Sequence, residues 1–122
     1  MLYLHISTDE QGESHISEVE PSFYAMSGYA QGVPPVGLSA SQRAGVVHFL
    51  RLPCGWEGDF HAAPARQFVV QLQGRLEVTT SDGTSVITGP ATAWLVEDTE
   101  GRGHRTKVVS EEDSVALVVT LT

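Results

Sequence analysis

The chain has 122 residues, 41% of them hydrophobic, and sets 15 acidic side chains against 7 basic ones, a formal charge of −8. That excess repels phosphate backbones and anionic lipid surfaces, so neither nucleic acid nor membrane is an expected partner. No apolar run approaches the ~20 residues that a spanning helix needs. At this length one domain over residues 1–122 is expected. The single cysteine, Cys54, cannot form an internal disulfide, and with no basic-plus-apolar leader in view the cytoplasm is the expected compartment.

In chain order, Leu2, Leu4 and Ile6 alternate with Tyr3, His5 and Ser7, the period of a half-buried strand. After the turn residues TDEQG, residues 14–20 (SHISEVE) alternate more weakly and read as an edge strand or an arm. Residues 21–45 are rich in glycine, proline and serine and read as one long irregular loop, of the kind that serves as a lid or binding loop. Its aromatics Phe23, Tyr24 and Tyr29 either cap a cavity or, on the simpler expectation, pin the loop to the core.

The barrel-like region begins at Val46. Residues 46–52 (VVHFLRL) are strand-forming and stop at Pro53, which cannot donate to a ladder. Cys54 reads as a small packed thiol. Residues 68–73 form a strand that Gly74 turns, and residues 75–80 put Leu76 and Val78 on one face. Asp82-Gly83 predicts a hairpin with a primed turn, residues 84–88 returning. Gly89-Pro90 breaks the chain, residues 93–96 (AWLV) resume it, and residues 97–103 (EDTEGRG) read as an acidic turn. Residues 104–109 and 115–121 complete the set. Nothing sustains a period of 3.6, so almost no helix is expected. The fold class is therefore all-β, a sandwich or barrel, and rolling two sheets into a jelly roll is one way such a chain manages its edges.

Two stretches then take on a specific pattern. In GWEGDFHAAPARQFVVQLQG, Gly55, His61, Gln67 and Gly74 stand at the spacings of the first motif of the cupin superfamily. Gly89, the strand ending at Val96, the turn through Gly101 and Gly103, and His104 follow the order of the second. HAAPARQF and VEDTEGRGHRT also resemble the motifs of a group of small single-domain cupins with no assigned reaction. The resemblance covers residues 46–121, residues 1–45 being N-terminal strands and loop, and it implies a jelly-roll barrel with an internal pocket.

Where the resemblance implies a second histidine ligand the chain has Ala63, and where it implies a glutamate it has Gln67. His61, Gln67 and His104 are then the candidate ligands of one divalent ion (Fe, Mn, Zn or Ni), with Gln71 as a fourth, a set without an anionic oxygen. Arg66 is a solvated charge or a partner of Glu57 or Asp59, or else it holds an anionic substrate group. Gln71 and Trp94 are further candidate substrate contacts, although Trp56 and Trp94 read most simply as packing. His5, His15 and His48 read as ordinary hydrogen-bonded strand residues.

If Gln67 looks inward, Phe68, Val70 and Leu72 face outward, and a homodimer is the simplest cover for them. Three readings stay open: a small-molecule-binding cupin, a metal-dependent cupin enzyme of the dioxygenase, isomerase or lyase kind, and a metal-free enzyme using His61 or His104 as acid or base.

Overall fold

The computed structural model describes residues 1–122. It contains eleven strands and no helix: β1 (Tyr3–Thr8), β2 (Ser14–Val19), β3 (Tyr24–Met26), β4 (Val36–Leu38), β5 (Ala44–Leu52), β6 (Gln67–Gln73), β7 (Leu76–Thr80), β8 (Ser85–Thr88), β9 (Ala93–Val96), β10 (His104–Val108) and β11 (Ser114–Leu121). Six form one sheet in the order β2-β1-β9-β6-β11-β5, and three form a second, β10-β7-β8. The first strand is integral to this body, since β1 pairs in parallel with β9. β2 lies at the sheet edge, as its weak alternation predicts.

The two sheets close on one core. Ile6, Trp94 and Val96 from the large sheet meet Leu76, Val78 and Val108 from the small one, all of them buried. Alternation on β7 fixes this directly, because Leu76 and Val78 are in step and both point inward. Burial of this set drives the sheets together at roughly 25 cal/mol per Å² of apolar surface.

Three local expectations are corrected. Residues 21–45 are not one irregular loop. β3 and β4 pair there as a separate two-stranded hairpin, and β5 starts at Ala44. Three-residue strands flanked by glycine and proline are too short for a period-2 pattern to show. The β7–β8 turn is not a two-residue primed turn either. Only Gly83 has positive φ (90°), while the Thr80 amide donates to the Thr84 carbonyl oxygen, and Asp82 instead accepts from the Thr80 hydroxyl and the Thr84 amide. Cys54 is exposed rather than packed.

The outward stripe on β6 is partly covered by the chain itself. Phe68 packs edge-on against Tyr3, ring centroids 6.2 Å apart, and both line a groove shared with Pro21, Ser22 and Ser39. The aromatics Phe23, Tyr24 and Tyr29 neither pin the loop to the core nor cap the cavity, for all three are exposed.

Candidate functional site

The link between β5 and β6 is what brings the two sequence-predicted histidines together. Its backbone runs alongside β10, with the Gly58 amide donating to the Thr106 carbonyl and the Val108 amide to the Trp56 carbonyl. At the end of that ladder His61 and His104 form an antiparallel bridge, each amide donating to the other's carbonyl at 3.0 Å. Directly opposed residues present their side chains on the same face. The two rings accordingly stand beside each other, centroids 5.1 Å apart and planes tilted by 49°.

This close approach depends on Gly103. Its φ is +70°, and a Cβ built there would lie 1.9 Å from the His61 carbonyl oxygen. Only glycine permits both the backbone conformation and the contact.

Each imidazole is held from behind. His61 donates its Nδ1–H to the Asp59 carbonyl oxygen at 2.9 Å, and a carbonyl can only accept, so the proton is on Nδ1. His104 donates its Nδ1–H to Asp98 Oδ2 at 2.6 Å. Asp98 is fully buried, and its Oδ1 has no hydrogen-bond partner. In the neutral state both rings therefore keep an unshared pair on Nε2. The His104 side chain is 12% exposed, whereas His61 is exposed, which places it at the rim.

Both rings line a cavity of about 440 Å³ between the sheets. Its walls are mainly apolar, with Trp56, Trp94, Leu76 and Val78 among them, and its polar side chains include Gln67, Thr106 and Ser114. Strand register explains which β6 residues reach it. Gln67 sits in one row with Thr120 and Val96, and Val69 sits in the next with Val118 and Trp94. The parity expected for Gln67 is the one observed, and its amide makes none of the chain's hydrogen bonds.

Other candidates are placed differently. Gln71 shares the inward face but lies two rows deeper than Gln67, paired with Ala116, past which the β6–β11 register shifts. It is fully buried, and its amide donates to the Gly74 and Thr88 carbonyls while accepting from the Thr88 hydroxyl, so it locks the barrel end and does not line the cavity. Arg66 turns outside. Its Nε donates to Glu97 Oε2 at 2.7 Å, not to Glu57 or Asp59, and the other Glu97 oxygen takes His5 Nε2 at 2.7 Å. Burial opposes ionisation of Glu97, but the bonds from Arg66 and His5 win and its pKa is lowered. His15 likewise sits between Asp9 and Asp82, as an ordinary hydrogen-bonded residue.

Two site residues escape a sequence reading. His48 makes no side-chain hydrogen bond and lines the cavity from β5. Asp98 looks like one more acid in a turn, and only its place six residues before His104, in a loop short enough to fold back, hints at its role.

The donor set does not fit a resident divalent ion. No three of the chain's histidine, cysteine, aspartate or glutamate side chains are placed so as to hold one metal ion. Ala63 is buried in the core, 4% exposed, where the resemblance implies a ligand. Asp98 is spent behind His104, and His48 does not converge with the pair, which leaves two imidazoles and one neutral amide.

Solved structures with the same architecture include a cupin domain from Schizosaccharomyces pombe, 17% identical over 89% of this chain and 77% of that chain, with a TM-score of 0.52. A cupin domain from Bordetella pertussis is 20% identical over 85% of this chain and 97% of that one, TM-score 0.51. The chain has the cupin fold. A cupin superfamily protein from Desulfitobacterium hafniense matches at 16% identity, covering 84% of this chain and 80% of its own, TM-score 0.50. No family model and no curated protein matches the chain. At these identities the likeness extends to the cupin architecture, and what the cavity does rests on its own chemistry.

Proposed function

We propose that this cupin binds a small molecule with an apolar body and a hydroxyl or similar hydrogen-bond donor, seated with the donor between His61 and His104. The observation that carries the reading is the pair of Nε2 acceptors at one end of a mainly apolar cavity, each fixed in that tautomer by a partner on Nδ1. The cavity volume falls in the range of small-molecule pockets, ~300–1,000 Å³. An apolar body gains from the walls, and a donor satisfies groups that otherwise face an apolar space. The test is calorimetric titration with 2-naphthol and with 2-methoxynaphthalene, in which a methyl group replaces the donor proton. The naphthol binds tighter by roughly tenfold, the value of one hydrogen bond, and His104→Ala removes the difference. Equal affinities for the two probes would refute the reading.

A second reading is favoured by the 2.6 Å contact between His104 and Asp98. A buried carboxylate holds the ring's tautomer and stabilises the imidazolium, the arrangement of a general base. Under it, His104 Nε2 takes a proton from a hydroxyl or an acidic C–H of the bound molecule, and Asp98 is the residue that orients and stabilises the charged ring.

A further inference from the structure

Five polar side chains of the cupin are buried, and four of them are bonded within the chain. Ser14 donates to the Gly103 carbonyl oxygen, Thr80 donates to Asp82, Gln71 donates to the Gly74 and Thr88 carbonyls, and Asp98 accepts from His104. Ser114 is the exception. It is 2% exposed, its hydroxyl makes none of the chain's hydrogen bonds, and it lines the cavity. Asp98 Oδ1 is the one polar side-chain atom that is both sealed and without a partner. The Ser114 hydroxyl therefore opens onto space, and the cavity is the space it lines. A buried hydroxyl left unbonded opposes folding, so folded chains nearly always give it a partner.

Strand register places Ser114 at the closed end of the barrel. It opens β11, opposite Leu52, whereas Thr120 near the other end of that strand is level with Gln67 and Val96. A Cβ built on Gly74 would lie 2.9 Å from Ser114 Cα, so the β6–β7 turn packs directly against it, and Gln71 locks that turn. The span to the histidines follows from β10. Four residues, ~13 Å of strand, separate His104 from Val108, which pairs with Leu76 just past the same turn. With a hydrogen bond of ~2.8 Å at either end, a guest reaching both has its two polar atoms roughly 8 Å apart.

The chemistry of the inner group is also constrained. No carboxylate, lysine or arginine lines the cavity, and a charged group at this end would be buried without a counter-charge. The inner group is therefore uncharged. Trp94, 3% exposed, lines the same interior, and its indole N–H, which can only donate, is unbonded too. The interior offers donors and lacks acceptors.

We propose that the guest is an uncharged hydroxy-carbonyl compound, whose hydroxyl sits between His61 and His104 and whose carbonyl oxygen accepts from the Ser114 hydroxyl at the closed end. The hydroxyl half rests on the reading of the histidine pair given above, and the carbonyl half rests on Ser114.

Calorimetric titration with 4-hydroxybenzylacetone and with 4-butylphenol tests the carbonyl half. A methylene replaces the carbonyl in the second probe, and the saturated linker keeps the two phenols alike in acidity. The ketone binds tighter by roughly tenfold. Ser114→Ala removes that preference, and His104→Ala keeps it. Failure at the histidines shows separately, as equal affinities for 2-naphthol and 2-methoxynaphthalene. Without any ligand, Ser114→Ala leaves Tm unchanged or higher, because it deletes an unbonded group, whereas Ser14→Ala strips the donor from the Gly103 carbonyl and lowers it. Equal affinities for the ketone and 4-butylphenol, a preference that survives Ser114→Ala, or a loss of Tm at Ser114 matching that at Ser14 overturns the proposal.

Discussion

Replacing Gly103 with alanine tests the geometry of the site in one atom. The added Cβ would lie 1.9 Å from the His61 carbonyl oxygen and 2.2 Å from its carbon, both backbone atoms with no side-chain freedom to yield. A carbon–oxygen contact ordinarily needs about 3.3 Å, so the two segments must part by roughly 1.4 Å. The paired bonds between His61 and His104, now 3.0 Å each, do not survive that. Two backbone hydrogen bonds at about 1 kcal/mol each and a left-handed φ of +70° at about 1–2 kcal/mol give roughly 3–4 kcal/mol. For a domain of this size that lowers Tm by roughly 10–15 °C. Gly83→Ala is the control, since its φ is +90° but nothing lies within 4 Å of the added methyl, and only the conformational part, about 1–2 kcal/mol, remains. Scanning calorimetry on both variants decides the matter. Equal losses at the two positions would refute the close approach that builds the site.

Gln71→Ala strips a partner from the buried Gly74 carbonyl and from the half-buried Thr88 carbonyl and hydroxyl. It costs about 2–4 kcal/mol in urea unfolding and leaves 2-naphthol affinity unchanged, and a loss of affinity would put Gln71 back in the cavity. The cluster of His15, Asp9 and Asp82 makes stability pH-dependent. Asp82 is held down to about 2 by the Thr80 hydroxyl and the Thr84 amide, so its stabilisation is complete above the usual carboxylate value of 3.8 and is lost as pH falls through about 2. The hydrogen bond to Asp9, and then that to Asp82, raise His15 against the effect of burial, so its stabilisation is complete below 6.5 and is lost as pH rises through the raised value. The urea midpoint difference between wild type and His15→Gln is therefore larger near pH 5 than near pH 9, and a difference that grows with pH would contradict the sign. Chelator treatment leaves Tm unchanged, because two imidazoles and an amide lack the third strong ligand. A fall in Tm restored by one equivalent of zinc, iron, manganese or nickel would show that the donor count is wrong.

Most of the architecture was legible because it rests on alternation and on glycine at turns, both of which are local. Leu76 with Val78, and Leu4 with Ile6, announce their faces without any knowledge of their partners. The meeting of His61 and His104 was legible only through the motif resemblance, since their distance along the chain says nothing of the bridge between them. Burial depth was not legible. Gln67 and Gln71 share a face, yet two rows of register separate a cavity residue from one that closes the barrel end. Proximity in sequence offers Arg66 only Glu57 and Asp59 as acidic partners, beside a solvated or substrate-binding role, whereas the strand pairing of β6 with β9 delivers Glu97. His48 was hidden by the rule that a lone strand histidine is ordinary, a rule that fails on a strand with one free edge. Asp98 was hidden by its neighbours, because a buried acid inside an acidic turn looks like any solvated one.

The central claim is that His61 and His104 both present an unprotonated Nε2 to one cavity. Long-range proton–nitrogen correlation spectra of the imidazoles measure this directly, at a pH where both rings are neutral and with each resonance assigned by its alanine variant. The expected spectrum has both rings protonated on Nδ1, and added 2-naphthol moves both Nε2 signals in step. A ring protonated on Nε2, or a titration in which one of the two signals stays still, would contradict the account.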